Sequence, residues 1–131
     1  MIEKTIKILV IDDSRIMQNM LKNFFDEKEE WGKTEFLFAS DGEEALKLLF
    51  SNKVDILFLD WNMPKLDGLS VLQKIRKTDN LKKLPVIMIT SEAAKYNVLE
   101  AMKAGVTDYI IKPAQSSILR EKVINYVLKG V

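Results

Sequence analysis

The sequence predicts one α/β domain built on a parallel sheet with helices on both faces. Three observations lead there. Four short apolar runs, IKILVI (6–11), ILFL (56–59), VIMI (86–89) and YII (109–111), are continuous rather than alternating. Continuous runs suit strands covered on both faces. The segments between the runs place apolar residues at helical spacing. The order repeats without linkers, low-complexity stretches or a second domain, so residues 1–131 are expected to form a single domain with right-handed crossovers.

Each element follows in turn. After the first strand, residues 14–28 carry Ile16, Met17, Met20, Leu21, Phe24 and Phe25 on one stripe. A weaker fifth strand is expected at EFLFA (35–39), within or after the charged stretch DEKEEWGKTEF (26–36), which reads as a loop. Asp41 is placed to cap a helix over 42–51, with Glu44 three residues on in capping-box position. That helix carries Ala45, Leu46, Leu49 and Phe50. Asp67 can cap a third helix over 68–77, with Leu69, Leu72 and Ile75 on its apolar side. Pro85 suits the start of the fourth strand. A fourth helix over 93–104 carries Val98, Leu99 and Met102, and Gly105 stops it. A fifth, over 116–129, carries Leu119, Val123, Ile124 and Val127. Pattern alone does not order the strands.

Composition narrows the chemistry. The chain has 131 residues, enough for a real core. A net charge of +1 gives no field that would favour nucleic acid or an anionic membrane. Cys is absent, which excludes disulfides and thiolate metal sites and allows a reducing compartment. His is absent, which excludes imidazole acid–base chemistry, imidazole ligands and a phosphohistidine on this chain. The opening MIEKTIKILVIDDS has too short an apolar run for a membrane span or signal peptide.

The polar residues are concentrated where strands end. The first run closes on Asp12 and Asp13, the third strand on Asp60, the fourth on Thr90 and the fifth on Lys112. In a parallel sheet all carboxyl ends share one edge, and ligands of open α/β sheets bind outside that edge. Three carboxylates, a hydroxyl and an ammonium are therefore expected in one crevice. Two carboxylates about 4 Å apart repel by about 4 kcal/mol at an effective dielectric near 20. Lys112 offsets part of this, and a hard divalent cation would offset more. Oxygen ligands without His or Cys favour Mg²⁺ or Mn²⁺ over Zn²⁺. The chemistry this suggests is phosphoryl transfer with one carboxylate as nucleophile.

Asp12-Asp13, DWNMPKLDG (60–68), Thr90 and Lys112-Pro113 resemble the receiver domain of two-component response regulators, and the resemblance spans essentially the whole chain. DWNMP, MITSEA and AGVTDYIIKP are most similar to the single-domain chemotaxis type. The resemblance implies a flavodoxin-like fold with five strands in the order 2-1-3-4-5 and five helices; chemotaxis receivers are among the standard examples of that order. It implies Asp60 as phosphoacceptor, with Asp12, Asp13, Asp60 and the backbone carbonyl of Asn62 around Mg²⁺. Lys112 would pair with Asp60 and then with the phosphoryl group. Thr90 would be the switch hydroxyl and Tyr109 the switch aromatic, and a cis peptide would precede Pro113. A histidine kinase would be the donor. The target protein would be read by the face formed by 93–104, 108–111 and 116–129, with the flagellar motor switch as the target expected from the chemotaxis type. The protein is expected to be a cytoplasmic monomer without an output domain, a signalling phosphoacceptor rather than an enzyme.

Plainer roles exist for several residues. Thr90 is an ordinary strand former, and Tyr109 suits a half-buried strand position. Met17, Met63 and Met102 read as packing, and Trp61 as a loop cover. One departure stands out: Ala114 follows Lys112-Pro113 where the family commonly has an aromatic residue. The rivals are a phosphorelay intermediate, a constitutive docking module, a flavodoxin-like flavin binder and an Asp-nucleophile phosphatase. The phosphatase type typically has a second Asp two residues after the nucleophile, where this chain has Asn62. The flavin reading is disfavoured because DDSRIM (12–17) is acidic where a phosphate-binding loop is rich in Ser, Thr and Gly.

Overall fold

A computed structural model describes residues 5–26 and 32–128. Strand β1 (Ile6–Ile11) leads into helix α1 (Arg15–Asp26), β2 (Thr34–Ala39) into α2 (Gly42–Ser51), and β3 (Ile56–Leu59) into α3 (Gly68–Arg76). A 3₁₀ turn (Asp79–Leu81) precedes β4 (Val86–Thr90), then α4 (Lys95–Lys103), β5 (Asp108–Ile111) and α5 (Ser116–Val123). The last helix continues as a π-helical turn over Ile124–Leu128. All strand pairs are parallel and the order is β2-β1-β3-β4-β5, the expected doubly wound sheet. Among the described residues no helix is long and apolar enough to cross a membrane.

The continuous apolar runs serve two cores. Ile8 and Val10 of β1, with Ile56 and Phe58 of β3, pack on one face with Phe25, Leu119 and Val123. Leu9 and Ile11, with Leu57 and Leu59, pack on the other with Val71, Leu72, Ile75 and Ala101. Successive strand side chains point to opposite faces, so a strand covered on both sides must be apolar throughout. Phe25 anchors the first core, with ring centroids 5.8 Å from Phe36 and 5.9 Å from Phe58. Each such side chain contributes about 1.5–3 kcal/mol on burial.

The caps form as expected. Asp41 Oδ1 accepts the Glu44 N–H at 2.9 Å and Asp67 Oδ1 accepts the Ser70 N–H at 2.9 Å. Gly105 follows α4 at φ +94°, a conformation that favours glycine. Other expectations need correction. Residues 34–36 belong to β2 rather than to the charged loop, and 27–31 lie outside the described residues. Ile16 is 84% exposed, Phe50 65%, Met102 62% and Leu99 47%, so these do not face a core. In α4 the buried residues are Asn97 and Ala101. One step along a helix is about 100° around it, and the buried line 97/101 lies one step from the expected line 98/102. Met17 and Met63 do pack against the two cores, and Trp61 lies against the second.

Candidate functional site at the carboxyl edge of the sheet

Register brings the acids together. Ile11 pairs with Leu59, and the Asp60 N–H donates to the Ile11 carbonyl at 2.9 Å. The residues that follow β1 and β3 therefore sit side by side although 48 positions separate them. Asp12 is 2% exposed and Asp60 7%, whereas Asp13 is exposed. One carboxylate oxygen from each of Asp12, Asp13 and Asp60 lies within 4.8 Å of the others. Asp12 Oδ1 accepts the Ser14 N–H at 2.8 Å. Lys112, just beyond β5, reaches back with Nζ 3.1 Å from Asp12 Oδ2 and 3.3 Å from Asp60 Oδ2. Its own N–H donates to the Thr90 carbonyl at 2.9 Å, and the Lys112–Pro113 peptide is cis.

The loop after Asp60 is shaped by close approach. The Gly68 N–H donates to the Trp61 carbonyl at 2.8 Å. A Cβ on Gly68 would lie 2.2 Å from the Asp60 carbonyl oxygen, so only glycine lets α3 start so near the end of β3. Lys65 crosses the tip at φ +67°, and its ammonium lies 3.5 Å from Asp41 Oδ2.

The electrostatics follow from this geometry. Burial pushes the Asp12 carboxyl above its ordinary range; the Ser14 N–H pulls it down, the Asp60 charge pushes it up, Lys112 pulls it down, and the net direction is up. Burial lowers Lys112, but its hydrogen bonds and charge contacts with Asp12 and Asp60 outweigh this and hold it above the ordinary lysine range. Both shifts are upward, for different reasons: burial and the neighbouring Asp60 charge disfavour the Asp12 carboxylate, whereas two carboxylates favour the Lys112 ammonium. One cation among three acids leaves the pocket anionic. All the donors are hard oxygens, and the set suits Mg²⁺ or Mn²⁺.

Thr90 and Tyr109 share a face. β4 and β5 pair Met88 with Tyr109 and Thr90 with Ile111, so Tyr109 and Thr90 lie two steps apart on one side of the sheet. Thr90 is fully buried and Tyr109 partly buried.

Sequence reasoning missed Glu92. Its carboxylate accepts the Asn62 and Asn97 side-chain amides, each at 2.9 Å. Its carbonyl accepts the Tyr109 hydroxyl at 2.5 Å, and its N–H donates to Thr90 Oγ1 at 3.3 Å. Glu92 thus ties the loop after Asp60, the loop after Thr90, α4 and Tyr109 together. The only sequence signal was its position two residues after Thr90.

A doubly wound sheet whose carboxyl edge holds this pocket, with a buried hydroxyl and an aromatic on the neighbouring strands, defines the receiver class of two-component signalling proteins. Residues 8–124 match the response regulator receiver domain model, and the chain belongs to that family. Within it, the chain is similar to chemotaxis proteins of the CheY type. It is 40% identical over 117 residues to the chemotaxis protein CheY of Pseudomonas aeruginosa, covering 89% of this chain and 92% of that one. It is 41% identical over 118 residues to CheY1 of Helicobacter pylori, covering 89% and 93%. The solved structure of the receiver domain of Francisella response regulator 1452 superposes with a TM-score of 0.83 at 34% identity, covering 95% of this chain and 98% of that one.

Proposed function

We propose that this chain is a phosphorylation-activated switch that takes a phosphoryl group from a histidine kinase onto Asp60 and thereby changes its affinity for a target protein. The observation that carries this reading is the Lys112 ammonium shared between Asp12 and Asp60 in a pocket of three acids. An Asp60 carboxylate oxygen attacks the phosphorus of the donor's phosphohistidine. The new P–O bond forms as the P–N bond breaks, and the imidazole leaves with the electron pair of that bond. Asp12, Asp13, Asp60 and the Asn62 carbonyl would hold Mg²⁺, or Mn²⁺. When bound, the metal supplies positive charge that neutralises the acids and the phosphoryl oxygens. Lys112 releases Asp60 Oδ2 and hydrogen-bonds a phosphoryl oxygen instead. Thr90 turns its hydroxyl to the phosphoryl group, and the Tyr109 ring follows into the space beside it. The phosphoryl group thus biases an existing two-state equilibrium.

The readout proposed is the face of α4, β5 and α5. Tyr96, Leu99, Met102, Ile111 and Ile118 are exposed there, an apolar surface that suits a protein partner. The similarity to CheY-type proteins supports a chemotaxis role in the cytoplasm, with the flagellar motor switch as target. Asn62 in place of a second Asp argues against a phosphatase.

The test is incubation with a small phosphodonor and Mg²⁺ followed by intact-mass measurement. The wild type should gain the mass of one phosphoryl group and lose it on standing, and Asp60→Asn should gain none while keeping its fold. Uptake by Asp60→Asn at the wild-type rate would remove Asp60 as nucleophile. Steady release of phosphate from many phosphomonoesters would instead support the phosphatase.

A further inference from the structure

A second feature lies at the opposite, amino-terminal edge of the sheet. The segments entering β3 and β4 flank a groove of about 590 Å³ beside the end of α2. Its apolar side is formed by Phe50, Val54, Leu81 and Leu84. Phe50 is 65% exposed, an aromatic ring held in water at the groove's lip.

The wall of this groove is preformed. Arg76 Nη1 donates to the carbonyls of Leu81, Lys82 and Leu84 at 3.3, 3.1 and 2.8 Å, and its Nε donates to the Gly105 carbonyl at 2.7 Å. The guanidinium clasps the whole turn before β4, so a ligand need not order it. The rim is basic. Lys53 and Lys83 line it, are exposed, and have no ion-pair partner among the described residues. The lining acid, Asp55, is already engaged, accepting the Lys7 N–H at 2.8 Å.

We infer that this groove is a docking site for an extended acidic segment of a partner protein carrying one bulky apolar side chain. The apolar wall takes the anchor and the two unpaired ammonium groups take flanking carboxylates. A symmetric pairing with a second copy is disfavoured because it would bring like lysines together. Two lysines are too few for a polyanion such as nucleic acid. The groove lies at the far edge from Asp60, so docking here leaves both the acid pocket and the α4–β5–α5 face free. This site does not depend on the proposed phosphorylation.

The probe is a fluorescein-labelled peptide, Glu-Asp-Glu-Leu-Trp-Glu-Asp-Glu, titrated by anisotropy and by amide NMR shifts on the full chain. Shifts should map to residues 49–55 and 80–85. The double variant Lys53→Glu/Lys83→Glu and the single variant Phe50→Ala should each weaken binding by about tenfold or more. All three side chains are exposed, so the folds should hold, as circular dichroism would verify. Beryllofluoride should leave the affinity unchanged. Three outcomes would overturn the site: shifts centred elsewhere, equal binding of the same peptide with Lys for Asp and Glu, or wild-type affinity in the charge-reversed variant. Concentration-dependent dimerisation abolished by Phe50→Ala, without peptide binding, would assign the groove to a second copy and also overturn it.

Discussion

Asp108, outside the acid pocket, shows how one carboxylate ties strand to helix. Its Oδ2 accepts Lys122 Nζ at 2.7 Å and the Tyr126 hydroxyl at 2.9 Å, and its Oδ1 accepts the Tyr109 N–H at 2.8 Å. Burial pushes its pKa up, but Lys122, the Tyr109 N–H and Tyr126 together outweigh burial and hold it below the ordinary 3.8. A depressed folded-state pKa gives stability that is present above the unfolded value and is lost as pH falls through the folded one. Asp108→Asn should therefore destabilise by about 1–3 kcal/mol at pH 7, and the gap from wild type should shrink as pH drops below about 4. Urea melts at pH 7 and pH 3 check this; a gap that does not depend on pH would mean the contacts act as neutral hydrogen bonds. Thr90→Ala belongs at the same scale. It removes the buried hydroxyl but no acid, so Asp60 should still accept phosphate. The phosphate-dependent gain in target affinity, of the order of 5- to 150-fold for such couplings, should mostly vanish. Binding of the target with and without beryllofluoride decides it, and an unchanged ratio would rule out Thr90 as transmitter. Asp12, Asp60, Thr90 and Lys112 were all legible because each directly follows or ends an apolar run. Glu92 was not, because a loop carboxylate shows its partners only after the loops are folded.

Among the elements, the loop between β3 and α3 is the most constrained. Gly68→Ala would press a Cβ against the Asp60 carbonyl and the Trp61 Cα, at 2.2 and 2.8 Å before relaxation. Both are backbone atoms and cannot turn aside. The expected cost is about 1–3 kcal/mol or more, as for overpacking elsewhere. Phosphoryl uptake should slow as well, since the relief must move Asp60 or α3. Thermal melts and the uptake rate are the measurements; a normal rate in a destabilised variant would separate the glycine from the site. The strands, the caps at Asp41 and Asp67 and the stop at Gly105 were readable because each rests on local chemistry. The buried faces of α2 and α4 were misread at Phe50, Leu99 and Met102. Hydropathy gives the apolar arc of a helix but not which edge of that arc meets the sheet. In α4 small Ala101 and hydrogen-bonded Asn97 turn inward and the larger residues stay in solvent. The π-helical turn after α5 left no mark in the sequence pattern.

For the whole molecule, the anionic pocket links metal binding to stability. Mg²⁺ should raise the melting temperature of the wild type, since a ligand of the folded state stabilises by about 2.7 kcal/mol at 100 times its dissociation constant. Asp13→Asn should lose most of that shift and melt higher than wild type without metal, because one repelling charge is gone. Melts with and without Mg²⁺ read both effects, and equal Mg²⁺ shifts in the two proteins would contradict the assignment of Asp13. The lysine shared by two acids has a further consequence, for the order of assembly. Lys112 meets Asp60 across 52 positions and Asp12 across 100. The sheet can pair β1 with β2 and with β3 while those acids have no ammonium beside them, and only β5 brings one. Long-range closures of this kind slow folding. The pocket thus gains its cation only when β5 docks, and a chain shortened before β5 would carry its two buried acids uncompensated.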